Sequence, residues 1–174
     1  MIGRELTKVA EAGQESPGRV LIAADKFKGS LTAVQVAEHV AAGLWSVVPG
    51  VEVAALPVAD GGDGTVDAAV AAGFARHTVR VTGPLGEPVE AAYALREGTA
   101  VVEMAEASGL RHLPPGVFAP RTATTYGTGE LLRAALDAGA RTIVLGVGGS
   151  ATTDGGAGML SALGARLLDA GGAP

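Results

Sequence analysis

Cysteine is absent from the 174 residues, which rules out a disulfide framework, a thiolate metal site and a cysteine nucleophile. A chain without disulfides suits a reducing compartment, and the cytoplasm is the expected location. Aromatic residues are scarce at 3%, although 48% of the chain is hydrophobic. The apolar mass is therefore Ala, Val and Leu, which suits helices packed closely on a parallel sheet rather than an all-β sandwich. Lysine is confined to Lys8, Lys26 and Lys28, and 13 basic against 18 acidic residues give a net charge of −5. With no Lys/Arg cluster to neutralise a phosphate backbone, nucleic acid is not an expected partner. No stretch reaches the ~18 uninterrupted apolar residues of a membrane span, and residues 1–18 contain no apolar core of a signal peptide. Neither membrane insertion nor export is expected. The string G-x-x-x-x-G-K-[ST] occurs nowhere, which excludes a Walker-type phosphate loop.

What is abundant is glycine, at 27 residues, and its placement is not random. Val20–Ala24 is an apolar run ending at Asp25, and from Thr32 the apolar residues Val34, Ala37, Val40, Ala41 and Leu44 fall at helical spacing. Thr32 with Gln35 forms a capping box, and Pro49–Gly50 ends the helix. A second strand is expected over 51–58, then the loop Asp60–Gly64, then a short helix from Thr65 to Ala72 stopped by Gly73. Residues 76–103 change character: three strands joined by short turns at Gly83–Gly86 and Glu97–Gly98 read as antiparallel. The α/β rhythm returns with a helix around 129–138, a buried strand at 142–147 and a helix beginning near Gly158.

The expected fold class is α/β, a Rossmann-like parallel sheet with helices plus a smaller β-rich insertion or second domain. In this division 1–18 is a polar extension, 19–75 and 122–174 form the incomplete α/β portion, and 76–121 is the β-rich insertion or part of the second domain.

The loops between these elements carry the chemistry. Ligands of parallel α/β sheets bind outside the carboxyl ends of the strands, and loops 25–30, 60–64 and 148–158 are all expected there. Glycine lets backbone N–H groups approach an oxyanion, and a following helix N-terminus adds about half a positive charge. Asp60-Gly61-Gly62-Asp63-Gly64 and Asp154-Gly155-Gly156-Ala157-Gly158 share D-G-G-x-G, which implies the same polar, permissive turn opening a helix. Lys26 and Lys28 share one face of an extended segment and offer an ammonium to a phosphate or a carboxylate; the alternative is a solvated loop. Asp25, Asp60, Asp63 and Asp154 suit Mg²⁺ or a base for a hydroxyl, against the structural alternative of turn-forming and helix-capping aspartates. Ser30, Thr125, Gly127, Thr128, Gly148, Gly149 and Ser150 complete the candidate ligand-binding set, with capping as the other role for the threonines.

Gly146–Ala151 also satisfies G-x-G-x-x-A, and Leu167-Leu168-Asp169 stands where a second strand with a ribose-binding acid would lie. A dinucleotide-binding oxidoreductase is thus an alternative. It fails at the helix, which Thr152–Gly158 would interrupt with three glycines, each costing about 1 kcal/mol relative to alanine.

Six motifs in order, A-D-K-F-K-G-S-L-T-A (24–33), P-V-A-D-G-G-D-G-T (57–65), V-T-G-P-L-G-E-P-V (81–89), V-E-M-A-E-A-S-G-L (102–110), T-T-Y-G-T-G-E-L (124–131) and G-G-S-A-T-T-D-G-G-A-G-M (148–159), resemble the bacterial glycerate kinase family. The resemblance covers about residues 19–174. It implies transfer of the γ-phosphoryl group of ATP to a hydroxyl of D-glycerate, giving 2-phosphoglycerate, with Mg²⁺, in a cleft between two α/β domains. By that resemblance Lys28 faces phosphate or the glycerate carboxylate, Asp60 or Asp154 serves as base or Mg²⁺ ligand, and Gly148–Ser150 with Gly155–Gly158 contact phosphate. Ala24 departs from the family's frequent proline. Chains of the family run to about twice this length, so an amino-terminal portion truncated in mid-domain is expected, acting as a homodimer or with the rest of a longer protein. A non-catalytic fragment is the alternative.

Overall fold

The computed structural model describes residues 18–25, 27 and 30–173. The expected polar extension, apart from Gly18, lies outside the described residues, as do Lys26 and Lys28. Two compact units part between Val58 and Ala59. Among the described residues no helix is long and apolar enough to cross a membrane.

The first unit holds β1 (Arg19–Ile22), α1 (Ala33–Val47) and β2 (Glu52–Ala55). The two strands are parallel, in register from Arg19↔Glu52 to Ile22↔Ala55. Hydrogen bonds from Leu56 N–H to Ile22 O and from Val58 N–H to Ala24 O carry the pairing to the end of the expected strand. Helix α1 starts where the capping box requires: the Gln35 N–H donates to Thr32 Oγ1 at 3.2 Å and the Thr32 N–H to Gln35 Oε1 at 2.9 Å. Its inner face places Ala37 and Ala41 on Ile22, with Leu44 and Val53 beside them.

The second unit contains α2 (Thr65–Ala71), β3 (Ala75–Thr82), β4 (Pro88–Arg96), β5 (Thr99–Glu103), α3 (Met104–Ser108), α4 (Tyr126–Asp137), β6 (Thr142–Gly146) and α5 (Ala157–Ala162). The sheet order is β3-β4-β5-β6. The first three strands are antiparallel as expected, turning at Glu97 and Gly98 with φ of 50° and 78°. β5 and β6 are parallel.

Through that last pairing Thr142–Gly146 hydrogen-bonds to Thr99–Glu103, so the three antiparallel strands and the later strand form one sheet. The strand at 142–146 is apolar enough to need a partner, and the end of the antiparallel meander supplies it.

Alternation along β4 and β5 explains how the sheet is covered on both faces. Ala91, Tyr93, Ala100 and Val102 point to α4, where Leu131, Leu132 and Ala135 meet them. Ala92, Ala94 and Val101 point the other way, to Val66, Val70 and Phe74 of the α2 segment. Alanine on both faces allows close approach, and glycine on the helices takes it further. A Cβ on Gly127, in the first turn of α4, would lie 1.7 Å from the Thr82 carbonyl oxygen, and one on Gly129 would lie 2.4 Å from the Met159 carbonyl oxygen.

Substitution at two helical glycines should therefore have opposite signs. Gly127→Ala is expected to destabilise by about 3 kcal/mol through forced displacement of α4. Gly43→Ala, where a Cβ meets nothing within 4 Å, is expected to stabilise by about 0.5–1 kcal/mol through helix propensity. Urea unfolding measures both, and equal effects would contradict the packing described.

Candidate active site

β5 and β6 end side by side, with Glu103 paired to Gly146, and the loop following β6 runs from the carboxyl end of this parallel pair. Ligands of α/β sheets bind at such an end. The 60–64 loop lies against it. The Gly148 N–H donates to Gly61 O at 2.8 Å. A Cβ on Gly146 would lie 2.6 Å from Gly61 O, and one on Gly148 would lie 2.7 Å from Gly62 Cα. Glycine is required on both sides because the two backbones touch. Of the three loops expected to converge, these two do so within one unit. The third, at 25–30, belongs to the first unit, where Phe27 and Leu31 exchange backbone hydrogen bonds and the Ser30 hydroxyl donates to Phe27 O at 3.2 Å. Asp25 is exposed there.

The two D-G-G-x-G segments share a turn. Asp60 Oδ1 accepts the Gly62 N–H at 2.8 Å, and Asp154 Oδ1 accepts the Gly156 N–H at 3.1 Å. These are Asx turns, with the aspartate bonding its own backbone two residues on. The residues just before the helices that follow are Gly64 and Gly156, with φ of 94° and 85°. Neither glycine has a side chain to cap with, so the caps come from elsewhere.

Asp154 serves two helix starts at once. Its Oδ2 accepts the Thr125 N–H at 2.9 Å, the Thr125 hydroxyl at 2.8 Å and the Gly158 N–H at 3.1 Å. The Thr125 hydroxyl in turn accepts the Met159 N–H at 2.9 Å. Burial alone would push the Asp154 carboxyl up, but these donors, with Gly156, outweigh it and hold the group below the ordinary carboxylate range. A carboxylate so engaged is a weak base with few lone pairs left for a metal. At α2 the corresponding acceptor is Glu103, whose Oε2 takes the Gly64 N–H at 3.0 Å and the Val66 N–H at 3.2 Å.

Several sequence candidates are therefore engaged inside the protein. Thr125 is fully buried on Asp154, and Thr128 is fully buried with its hydroxyl 2.9 Å from Ser108 Oγ. Gly127 and Gly158 are contact points between elements. The N–H groups of Gly62, Gly64, Gly148, Gly156 and Gly158 all have protein acceptors. Asp60, Gly149 and Gly155 are exposed, and the half-buried Ser150 accepts the Thr152 N–H at 3.0 Å through its hydroxyl. Asp63 is half-buried, and a Cβ on Gly149 would lie 3.4 Å from its Oδ1. Among the described residues no group of three or more His, Asp or Glu is disposed to hold a metal.

Sequence reasoning passed over Glu103, Glu106 and Arg111. Glu106 accepts the Ala92 N–H at 2.8 Å and pairs with Arg111 at 2.6 Å. The available signal was a glutamate closing the apolar strand A-V-V-E, where an alternating pattern calls for a core residue. The Leu110 N–H donates to Gly149 O at 2.9 Å, which ties this segment to the loop after β6.

Together the fold and the site define an α/β protein whose interlocked glycine loops open at the carboxyl end of a parallel strand pair. Helix α5 starts only at Ala157, and Leu167–Asp169 is irregular, so the dinucleotide arrangement is not formed. The model of the glycerate kinase family matches residues 20–174, and the chain belongs to that family. It is 54% identical over 154 residues to a glycerate kinase of Bacillus subtilis (strain 168), covering 87% of this chain and 40% of that protein. It is 49% identical over 158 residues to a glycerate 2-kinase of Escherichia coli (strain K12), covering 88% of this chain and 41% of that protein. A crystal structure from Salmonella typhimurium LT2, of a protein assigned as a glycerate kinase 2, superposes with a TM-score of 0.74 at 50% identity, covering 89% of this chain and 42% of that one. The chain thus spans about 40% of the length of the curated relatives it matches.

The raised acidity of Asp154 makes a signed prediction. Its ionised form stabilises the fold fully above the unfolded carboxyl value of about 3.9, and the contribution is lost as pH falls through the lower folded value. The Tm difference between wild type and Asp154→Asn should be widest near neutrality and close on acidification. A difference that stays constant down to about pH 2 would contradict this reading.

Proposed function

We propose that the chain is part of an ATP-dependent kinase that phosphorylates a hydroxyl of D-glycerate, giving 2-phosphoglycerate. The observation that carries the reading is the contact between loops 60–64 and 146–150 at the carboxyl ends of β5 and β6, in a chain of the glycerate kinase family. In the transfer, the glycerate hydroxyl oxygen bonds to the γ-phosphorus, the bond to the β,γ-bridging oxygen breaks, and ADP departs. The hydroxyl proton passes to a carboxylate or to water.

Asp60 suits the open role. It is exposed, at the rim of the loop pair, with one oxygen engaged by the Gly62 N–H, so it is our assignment for proton acceptance or for holding Mg²⁺. Magnesium bound with the nucleotide would neutralise charge on the β- and γ-oxygens. Asp154, its oxygens already bonded and its acidity raised, is assigned to the scaffold. Backbone contact with phosphate falls to Gly149 and Ser150 rather than to Gly156 and Gly158. Lys28, from the sequence, supplies the cation for phosphate or the glycerate carboxylate. A cytoplasmic site of action agrees with the use of ATP and the lack of cysteine. Turnover is expected of the family-length polypeptide, since this chain covers about 40% of its relatives.

The test is ADP release by the family-length protein with ATP, Mg²⁺ and D-glycerate. Glycerate-dependent ADP formation is expected, and none at saturating substrates would refute the proposal. Lys28→Ala should lower kcat/KM by about 100-fold, while Lys8→Ala should leave it within about twofold; equal effects would remove Lys28 from the site.

A further inference from the structure

Strand β5 alternates Ala100 and Val102 toward α4 with Val101 toward α2, and Glu103 continues on the α2 side. An apolar residue would be ordinary at that position. Instead a carboxylate lies there with none of its surface exposed, at a considerable desolvation cost. What offsets the cost is the start of α2. Gly64 has a left-handed φ of 94° and no capping side chain, so two N–H groups of the first turn would be left without acceptors. A serine or aspartate at 64 would cap in the usual way but strain that φ. Glu103 caps from across the sheet, its Oε2 taking both Gly64 and Val66.

The cap has a geometric consequence for the loop before it. Gly61 O is held by the Gly148 N–H on one side, and Gly64 is held by Glu103 on the other. Asp60, with its turn onto Gly62, lies at the edge of this fixed span. We propose that Glu103 is a positioning residue for phosphoryl transfer, fixing the 60–64 loop and with it the Asp60 carboxylate against the ends of β5 and β6. The kinetic part of this inference rests on the kinase reading above; the geometric part does not.

The other oxygen, Oε1, is buried without a hydrogen-bond partner among the described residues. Burial pushes the Glu103 carboxyl up, opposed by the Val66 N–H; Glu106 and Asp63 add to the rise, and Arg111 opposes it. The cap works through one acceptor oxygen, Oε2, which takes both N–H groups. This separates two variants. Glu103→Gln keeps an acceptor at the same reach, whereas Glu103→Leu fills similar space with none.

In the family-length protein, E103Q should retain kcat within about threefold, and E103L should lose about 10- to 100-fold in kcat with KM for ATP changed by less than about threefold, as misplacement of a reacting group implies. Should E103L not fold, E103D, which withdraws the carboxylate by one methylene, carries the same expectation. Wild-type kcat in E103L or E103D would overturn the assignment, and so would an E103Q as impaired as E103L. Amide exchange separates this from failure of the kinase reading. Gly64 and Val66 should be protected in wild type and E103Q and exchange at least about tenfold faster in E103L, whether or not the wild type phosphorylates glycerate. Unchanged exchange would overturn the positioning role; absent wild-type turnover with the exchange difference intact would overturn only the kinase reading.

Discussion

One oxygen of Asp154 receives three hydrogen bonds from the starts of two helices, and much of the second unit is arranged around that convergence. Thr125 supplies two of the donors from the head of α4, and Gly158 supplies the third from α5. For a single carboxylate to reach both, the helices must approach until only glycine fits between them. Gly158 and Gly129 provide that approach, the first against Thr124 and Tyr126, the second against Met159 and Ala162. The polar cap and the absent side chains are one constraint expressed twice.

Glu103 applies the same device on the opposite face of the sheet with opposite electrostatics. Asp154 is surrounded by donors and its acidity rises; Glu103 is buried beside Glu106 and Asp63, and its acidity falls. In both cases a carboxylate occupies a helix N-terminus that the sequence offers to phosphate. The macrodipole and its unpaired N–H groups attract an anion, but that anion is part of the protein. Asp60 and Gly149 are exposed in the loop pair at the strand ends, and Gly155 is exposed in the Asp154 turn.

Local features were legible from the chain itself. The Thr32 and Gln35 capping box, the antiparallel run from Ala75 to Glu103 and the late start of α5 past Gly155 and Gly156 all follow from turn chemistry and periodicity. The D-G-G-x-G repeat implied a shared polar turn opening a helix, and both segments form an Asx turn. The β5–β6 pairing was not legible, since nothing in T-I-V-L-G names a partner strand. Thr125 and Thr128 read as ligand donors because hydroxyls beside glycine suit a ligand as well as a cap; only burial separates the two. Glu103 was passed over for the converse reason, that a glutamate at a strand end is usually solvated. Lys26 and Lys28 lie outside the described residues, so their part rests on the sequence and the family.

Protein carboxylates hold the helix-starting N–H groups, and under the proposed kinase reading nucleotide phosphate is left to Gly149 and Ser150. Amide chemical shifts of the family-length protein, recorded as Mg²⁺ and a non-hydrolysable ATP analogue are added, test it most directly. Large shifts are expected at Gly149 and Ser150, with Gly64, Val66, Gly156 and Gly158 little changed. Large shifts at those four amides, with Gly149 and Ser150 unmoved, would contradict it.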